Sequence, residues 1–316
     1  MPKILITGGA GYIGNVLTDY LLTQGHHITV LDNLIHRNGA ILEQCGRFNF
    51  KFEYGDVRNQ ELYKSLITKN DIIINLAAYV GMPICKRFPN ETRQVNQESS
   101  EFLAKTVSND QRVIYTTTNS GYGLGLHIDG EAVHCTEETP LKPISLYGET
   151  KSAAEYALMQ RGNCTSFRLA TVFGTSRKMR MDLLVNDFVW RAWNDRFIVL
   201  FESHFMRNFV HIKDVANTIN FSIHKPETVG QVYNVGNTEI NINKMDLCLA
   251  IKKHVPDFYI TESQFNKDPD QRNYVVSNAK LEALGWNCLY SLDMGIKEVL
   301  AACPIIKHSN VPFSDI

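Results

Sequence analysis

Tyr147 and Lys151 are the two side chains of this sequence whose types and spacing best fit a chemical role. They are four residues apart in a segment, LYGETKSAAEY, whose pattern predicts a helix beginning near Leu146, so they share one helix face. A phenol with an ordinary pKa of about 10 is a poor base at neutral pH, but an ammonium group one turn away favours the phenolate, as the positive charge of an oxidised nicotinamide would. Such a tyrosine can accept a proton from a sugar hydroxyl while the neighbouring C–H bond gives a hydride to nicotinamide. The alternative is an ordinary Tyr–Lys pair on a helix surface, because this spacing is common.

Hydroxyl groups come shortly before this pair, at the end of a predicted strand. Residues 112–116 (RVIYT) predict a buried strand, and the sequence TTTNSGYG runs from its end to residue 123. Ligands of parallel α/β sheets bind at the carboxyl ends of the strands. A hydroxyl of Thr117 or Thr118 can therefore hold the oxygen that reacts at Tyr147.

The first 32 residues predict the element that would hold a nicotinamide cofactor. Gly8, Gly11 and Gly14 stand between an apolar strand pattern at 3–7 and a helix pattern that starts near Ile13, and a second strand ends at Asp32. The first glycine permits a tight turn, the second lets backbone N–H groups approach a pyrophosphate, and the third lets the helix pack on the strand. The positive end of the helix favours phosphates. Asp32 can accept hydrogen bonds from the adenosine ribose and would repel a 2′-phosphate, so the unit predicts NAD(H) rather than NADP(H).

The next segments alternate strand and helix patterns, with strands at 48–54 and 71–75 and helices at 61–69 and 91–107, which predicts a parallel doubly wound sheet. Asp56 follows a strand and can either bind the adenine amine or cap the next helix. Asn96 lies within a predicted helix, where a residue of its type is more often on the surface than in contact with a ligand. Together with the family resemblance described below, these patterns give the expected cofactor contacts Gly8, Gly11, Tyr12, Ile13, Gly14, Asp32, Asn33, Asp56, Val57, Leu76, Ala77, Ala78, Asn96, Thr116, Tyr147, Lys151, Thr171 and Val172.

The composition restricts the class of protein. A chain of 316 residues with a net charge of −1 offers no electrostatic footprint for nucleic acid. It contains no apolar run of membrane-spanning length and no signal-peptide pattern, so we expect a cytoplasmic protein without a membrane partner. The seven cysteines are scattered and odd in number, which indicates reduced thiols, and we expect no metal site.

Longer motifs carry a resemblance to a known family. They are TGGAGYIG, GDVR, NLAA, TTTNSGYG, YGETK, FRLATVFG, RNFVHIKDVA, YNVGN and DPDQRNYVVSNAKLEALGW, which together span most of the chain. With these motifs the sequence resembles the extended short-chain dehydrogenase/reductases, in the group of NAD-dependent sugar epimerases and dehydratases.

The resemblance implies an α/β fold: a Rossmann doubly wound parallel sheet with helices on both faces and a smaller C-terminal substrate-binding α/β lid. Residues 1–170, with returning segments near 205–235, would bind NAD, and residues 171–316 would mainly bind a nucleoside-diphosphate sugar. Thr118 joins Tyr147 and Lys151 in the implied catalytic set, and Arg207 and Arg272 match arginines that hold the pyrophosphate. Relatives commonly pair through two helices per subunit, so a homodimer or higher homo-oligomer is expected. The expected substrate contacts are Thr118, Asn119, Ser120, Thr171, Arg180, Asn186, Arg207 and Arg272.

The sequence departs from some relatives at the site. The 4,6-dehydratases of this group carry an Asp–Glu pair directly after the catalytic threonine, where this chain has Asn119 and Ser120, and neither can exchange protons as a carboxylic acid does. Glu137 and Glu138 lie in a later loop and are poor substitutes. We therefore expect oxidation or reduction at one carbon, C4, without loss of water.

The combination TNSGYG, RLATVF, MRMDLLVNDF and DPDxRxYxVSN is most similar to the GDP-manno-heptose 4-dehydrogenases of bacterial capsule synthesis. That similarity favours a GDP-linked substrate. A nucleoside-diphosphate-sugar 4-epimerase would share these residues, and a non-catalytic NAD-sensing protein is a minor alternative. Thr171 replaces an asparagine that contacts substrate in many relatives. Arg177, Lys178 and Arg180 form a basic loop that either meets phosphates or is solvated.

Overall fold

The computed structural model describes residues 1–128, 131–263 and 272–309. The strands in that part of the chain are β1 Lys3–Thr7, β2 His27–Asp32, β3 Phe50–Tyr54, β4 Ile72–Asn75, β5 Arg112–Thr118, β6 Leu126–Ile128, β7 Glu131–Cys135, β8 Cys164–Leu169, β9 Thr171–Phe173, β10 Phe197–Phe201, β11 Met206–His211, β12 Val232–Val235, β13 Asn241–Asn243, β14 Tyr259–Ser263 and β15 Val275–Val276. The helices are α1 Tyr12–Thr23, α2 Gln60–Ile67, α3 Met82–Arg87, α4 Pro89–Thr92, α5 Ser99–Thr106, α6 Leu146–Met159, α7 Leu184–Asn194, α8 Ile212–Ile223, α9 Lys244–Lys252, α10 Ala279–Glu282 and α11 Leu292–Lys307.

The largest sheet has seven strands in the order β12-β8-β5-β4-β1-β2-β3, and all neighbouring pairs are parallel. Its central strands are almost wholly apolar and buried, as strands covered on both faces must be. The carboxyl ends of β1, β2, β4 and β5 meet at one edge, so residues that are distant in sequence converge there. The predicted Rossmann doubly wound sheet is confirmed.

Helices cover both faces of this sheet. Ile4 and Ile6 of β1 belong to a core cluster that includes side chains of α1 and α8, whereas Leu5 belongs to another cluster with side chains of α2, α5 and α6. Successive strand residues point to opposite faces, so one short strand contributes to two cores. This packing fixes α1 and α6, which carry the glycine turn and the Tyr–Lys pair, relative to the same strands.

The C-terminal half adds smaller sheets and a separate core. β13-β11-β9 and β10-β14 form two sheets, and β15-β7-β6 forms a third. α7, α9 and α11 contribute to a core that contains Phe173, Phe209 and Phe258. Residues 212–235 return to the large sheet, because β12 pairs with β8 and α8 packs on α1. We retain the predicted division near residue 170 as a proposal.

Some predicted elements have different boundaries in the structure. The helix predicted at 91–107 is a continuous helical segment with a π-helical turn, Arg93–Glu98, between α4 and α5. β3 begins at Phe50, and Phe48 is exposed. The side chain of Asn59 caps α2, so of the two alternatives for Asp56 the capping role is wrong. All seven cysteines are free thiols. Within the described ranges, we find no helix with the length and apolar character needed to cross a bilayer.

Candidate active site

A cavity of about 770 Å³ opens at the carboxyl edge of the large sheet, and its volume suits a small-molecule or cofactor site. It is continuous from the glycine turn to the C-terminal half of the chain. The residues expected at a site that do line it are Gly8, Gly11, Tyr12, Ile13, Gly14, Asp32, Asn33, Asp56, Val57, Leu76, Ala77, Ala78, Thr116, Thr118, Ser120, Tyr147, Lys151, Thr171, Val172, Arg180, Arg207 and Arg272. Asn96, Asn119 and Asn186 are not among the lining residues.

The glycine turn has the close backbone approaches that its spacing predicts. Gly8 has a φ of +73°, and a Cβ atom there would lie 2.8 Å from the backbone nitrogen of Ala77. A Cβ atom at Gly14 would lie 2.2 Å from the carbonyl oxygen of Gly8. α1 begins at Tyr12, immediately after Gly11, and its first residues line the cavity. A pyrophosphate would bind there, at the N-terminal end of the helix.

Asp32 stands at the carboxyl end of β2, on the cavity wall. Its Oδ2 accepts a hydrogen bond from the Ala10 backbone nitrogen at 2.9 Å, and its Oδ1 accepts one from Leu34 at 2.8 Å. Burial raises the pKa of Asp32, against the lowering effect of these two hydrogen bonds. Each carboxylate oxygen can accept more than one hydrogen bond, so the group fits a ribose and also fixes the glycine turn.

Asp56 and Asn33 form a polar group at the same end of the cavity. The Asn33 amide donates to Asp56 at 2.9 Å, and Arg58 donates to both carboxylate oxygens at 2.9 and 2.8 Å. Burial raises the pKa of Asp56, but the hydrogen bonds and charge of Arg58 outweigh burial and set the pKa at about 2. Asp56 is therefore an ionised acceptor at neutral pH, as binding to an adenine amine requires.

The Tyr–Lys pair lies on the inward face of α6. The hydroxyl of Ser145 caps this helix by accepting from the Gly148 backbone nitrogen at 3.2 Å. Thr118, at the end of β5, is near enough to Tyr147 for its hydroxyl to lower the pKa of the phenol. Thr118, Tyr147 and Lys151 thus line one part of the cavity, as the sequence predicts, and their catalytic roles remain a proposal.

The electrostatics of the pair differ from the simple expectation. Burial raises the pKa of Tyr147 more than its neighbours lower it, so the pKa is about 12. The neighbours that lower it are the charges of Arg180 and Arg272 and the Thr118 hydroxyl. Burial also lowers the pKa of Lys151 to about 7, and its Nζ lies 4.2 Å from the centre of the Tyr115 ring. The main cations acting on Tyr147 are therefore the two arginines rather than Lys151, because desolvation disfavours the charged lysine.

Arg207 and Arg272 line the cavity in the C-terminal half. Arg207 is buried, donates to the backbone carbonyl of Met206 at 2.9 Å and to that of Arg272, and lies over the Tyr274 ring at 5.8 Å. Arg272 donates to the hydroxyl of Ser120. The structure thus brings the two predicted pyrophosphate arginines together and connects one of them to the turn after β5.

The basic loop at 177–180 divides into two environments. Arg177 pairs with Glu43 and is not among the lining residues, whereas Lys178 and Arg180 are buried in the cavity wall. The guanidinium of Arg180 binds both carboxylate oxygens of Asp182 at 2.7 and 2.6 Å. This ion pair partly neutralises Arg180, which weakens the expectation of a phosphate contact.

The three predicted site residues that do not line the cavity are all buried. Asn96 accepts from the Tyr79 backbone nitrogen at 2.8 Å and donates to the Tyr79 carbonyl at 2.9 Å, so the surface position considered for it is wrong. Asn186 donates to the Arg180 carbonyl at 2.8 Å, and its oxygen accepts from the Gly174 nitrogen at 3.1 Å. Asn96 and Asn186 therefore hold segments of the wall in place. Both amide atoms of Asn119 are buried without a hydrogen-bond partner among the described residues.

Sequence reasoning missed other residues of the wall. Lys244, at the start of α9, is buried there, and its Nζ donates to the Phe201 carbonyl at 2.9 Å. Tyr274 lies beside Arg207. Lys244 belongs to no motif of the sequence, whereas Tyr274 is the tyrosine of the DPDxRxYxVSN motif, and the fold shows that both line the cavity.

A buried ion pair connects α6 to strand β8 of the large sheet. Arg168 of β8 binds Glu155 of α6 at 2.7 Å, and Ser166 donates to the same carboxylate at 2.8 Å. Arg168 also donates to the Tyr122 hydroxyl at 3.0 Å, in the turn after β5. Glu155 lies one helical turn beyond Lys151, so the network connects α6 and the turn after β5 to the sheet.

The model of a family described as "NAD dependent epimerase/dehydratase family" matches residues 4–236, most of the chain. The chain belongs to this family. Membership confirms the predicted cofactor, NAD(H), and the predicted class, an NAD-dependent enzyme of the short-chain dehydrogenase/reductase superfamily.

Its relatives differ in the reactions that their names state. A dTDP-D-glucose 4,6-dehydratase of Dictyostelium discoideum is 28% identical over an alignment of 274 residues. The match covers 79% of this chain and 62% of that protein, so the chain spans under two-thirds of that relative's length. A CDP-paratose 2-epimerase of Salmonella typhi is 27% identical, covering 94% of this chain and 98% of that protein. The solved structure of a UDP-glucuronic acid 4-epimerase from Bacillus cereus, in complex with UDP-glucuronic acid and NAD, has a TM-score of 0.82 at 21% identity and covers 96% of this chain and 99% of that chain. The last likeness concerns the fold.

Proposed function

We propose that this protein uses NAD⁺ to oxidise the C4 hydroxyl of a nucleoside-diphosphate sugar, specifically GDP-manno-heptose, to a 4-keto sugar for bacterial capsule or surface polysaccharide synthesis. One observation carries the proposal. A single cavity joins the glycine turn and Asp32, the set Thr118–Tyr147–Lys151, and the arginine pair Arg207–Arg272. The named relatives act on dTDP-, CDP- and UDP-linked sugars, which supports a nucleotide-sugar substrate for this chain as well.

The residues suit proton removal from a sugar hydroxyl. Bound NAD⁺ supplies the hydride acceptor. The Tyr147 phenolate takes the proton of the C4 hydroxyl, the C4–H bond breaks with its electron pair as hydride, and the C4–O bond becomes a carbonyl. Thr118 holds the reacting oxygen, and Lys151 holds the nicotinamide ribose.

The pKa of Tyr147, about 12, makes oxidation dependent on the cofactor charge. A positive charge near a phenol favours the phenolate, so bound NAD⁺ adds to the effect of Arg180 and Arg272. We therefore expect the phenolate to be populated in the complex with NAD⁺ rather than in the cofactor-free protein.

The acid groups of the wall favour oxidation without loss of water. The carboxylates among the described lining residues are those of Asp32, Asp56, Asp182 and Asp187. Asp32 and Asp56 lie at the end of the cavity beside the glycine turn, where the adenosine of NAD would bind. Asp182 and Asp187 pair with Arg180 and Arg191. Asn119 and Ser120 follow Thr118, so proton exchange at C5 and C6 lacks a carboxylic acid there.

The choice of GDP-manno-heptose rests on the sequence combination TNSGYG, RLATVF, MRMDLLVNDF and DPDxRxYxVSN. Part of the last motif lies outside the described residues. A 4-epimerase is the second candidate, because it would perform the same oxidation and then return the hydride to the other face of the sugar. A solved 4-epimerase of the same fold supports it.

Product mass separates these functions in one experiment. The purified protein is incubated with NAD⁺ and one nucleotide sugar in each of three separate reactions, with GDP-manno-heptose, UDP-glucose or dTDP-glucose. The nucleotide sugar from each reaction is then analysed by mass spectrometry. The proposed reaction yields a GDP-sugar that has lost two hydrogen atoms, with formation of NADH. An unchanged mass with altered stereochemistry indicates the epimerase, and loss of water indicates a dehydratase. Either result contradicts the proposal.

We also propose a homodimer that pairs through α5 and α6. These helices pack on one face of the large sheet, and Tyr156 of α6 is 69% exposed. Light scattering should report a dimer that Tyr156→Glu weakens, and a monomer at micromolar concentration would contradict this arrangement.

A further inference from the structure

Ser120 lies where the catalytic hydroxyls meet the substrate half of the cavity. It is buried in the short turn Asn119–Tyr122, directly after β5. Its Oγ accepts from the Thr118 hydroxyl at 2.9 Å, and its backbone nitrogen donates to the Thr118 oxygen at 3.1 Å. The same Oγ accepts from the guanidinium of Arg272. Ser120 thus fixes Thr118 through one side-chain contact and one backbone contact. The Ser120 hydroxyl that makes the side-chain contact also binds the Arg272 cation.

The contacts form an ordered series from the C-terminal half to the reacting phenol. Arg272 donates to Ser120, Ser120 accepts from Thr118, and the Thr118 hydroxyl lies near Tyr147, whose pKa it lowers. A hydroxyl oxygen has two lone pairs, so Ser120 can accept from both of its neighbours at once. Hydrogen bonds in a buried series polarise one another, and the loss of one member is felt at the others.

Arg207 has a different environment, although it lines the same wall. Its guanidinium is bound to the carbonyls of Met206 and Arg272 and lies over the Tyr274 ring. The two arginines, which the family resemblance treats alike, therefore differ in what they connect.

We propose that Ser120 is a positioning residue that fixes the Thr118 hydroxyl for the reaction at Tyr147 and makes Arg272 a support of catalysis as well as of binding. This inference rests on the proposed function and deepens it. Loss of the Ser120 side chain should impair the chemical step, because the Thr118 hydroxyl loses the side-chain contact that orients it and keeps only the contact with the backbone nitrogen. Loss of the Arg207 charge should mainly impair binding.

The test compares Ser120→Ala with Ser120→Thr, which keeps a hydroxyl, in NAD⁺-dependent oxidation of GDP-manno-heptose. We expect Ser120→Ala to lower kcat about tenfold, as the loss of about one hydrogen bond in the transition state does, and to leave KM within about twofold. The pH at which kcat is half-maximal should move upward, and Ser120→Thr should restore most of the rate. Arg207→Gln should mainly raise KM. A normal kcat in Ser120→Ala, or a change in KM alone, overturns the proposal.

A double variant tests the connection to Arg272. If the two residues act in series, Ser120→Ala with Arg272→Gln should be no slower than the slower single variant, whereas independent roles would multiply the losses. The stability of the same four proteins is measured by urea unfolding. If Ser120 and Arg272 are in contact, the effect of the double variant on the unfolding equilibrium constant should differ from the product of the single effects by about threefold or more. An inactive wild-type protein with intact coupling would refute the proposed function alone. Additive unfolding effects would refute the connection whatever the activity.

Discussion

The glycine turn permits a quantitative prediction at Gly14. A Cβ atom there would lie 2.2 Å from the Gly8 carbonyl oxygen and 2.7 Å from Gly9 Cα, whereas ordinary contact begins at 3.4 Å. Gly14→Ala must therefore separate helix from turn by about 1.2 Å (3.4 − 2.2), and both obstacles are backbone atoms that cannot rotate away. Overpacking of this kind costs about 1–3 kcal/mol of folding free energy.

The same displacement should weaken cofactor binding more than it weakens the fold. The turn and the first N–H groups of α1 would bind the pyrophosphate, and hydrogen bonds to charged groups are worth about 1.5–3 kcal/mol each. Loss of two such bonds lowers NADH affinity by about 10²-fold or more. Fluorescence titration with NADH measures the affinity, and thermal unfolding measures the stability.

Gly46→Ala is the matched control. Gly46 is exposed, and a Cβ atom there would meet nothing within 4 Å, so affinity and stability should remain near those of the wild type. Wild-type NADH affinity in Gly14→Ala would refute the reasoning, because it would mean that the cofactor does not depend on this turn.

Three further predictions concern cofactor choice, pH and the buried ion pair. Asp32→Ala should narrow the preference for NAD over NADP, measured as the ratio of their dissociation constants, and an unchanged ratio would mean that the discriminating acid lies elsewhere. Burial and the neighbouring His224 lower the pKa of His26 in the folded protein. Neutral His26 therefore favours the folded state above a pH of about 6.5, and this contribution to the free energy of unfolding is lost as the pH falls, because the unfolded chain takes up the proton first. Urea unfolding at about pH 7.5 and about pH 5.5 should show a smaller loss for His26→Leu than for the wild type, and equal losses would contradict this assignment. Glu155→Gln leaves the Arg168 charge buried and should cost about 3–5 kcal/mol in the same assay, whereas a cost below about 1 kcal/mol would mean that the pair is not structural.

The parts of the site that were predictable from sequence are those encoded in local spacing. Gly8 and Gly14 belong to one continuous strand–turn–helix segment, and Tyr147 and Lys151 are about one helical turn apart, so local geometry places each pair. The rule that strands of a parallel sheet present ligands at their carboxyl ends then brings Asp32 to the same cavity.

The remaining features depend on how distant segments approach each other. Asn186 was expected to contact substrate, but α7 turns it toward the Gly174 nitrogen and the Arg180 carbonyl. Arg180 acts on Tyr147 while bound to Asp182, a relation that no spacing in the chain signals. The sequence pattern does not distinguish the π-helical turn that presents Asn96 to Tyr79 from ordinary helix, because such a turn occurs as a single-turn bulge inside an α-helix.

The most direct test of the account is hydride transfer in Tyr147→Phe. The variant keeps the ring that packs in the cavity and removes only the hydroxyl, so NAD(H) should still bind with near wild-type affinity. A single turnover of GDP-manno-heptose with NAD⁺, followed through NADH absorbance, should be at least about 10²-fold slower than in the wild type. A rate within about threefold of the wild type, with the cofactor bound, would contradict the assignment of Tyr147 as the base and with it the proposed mechanism.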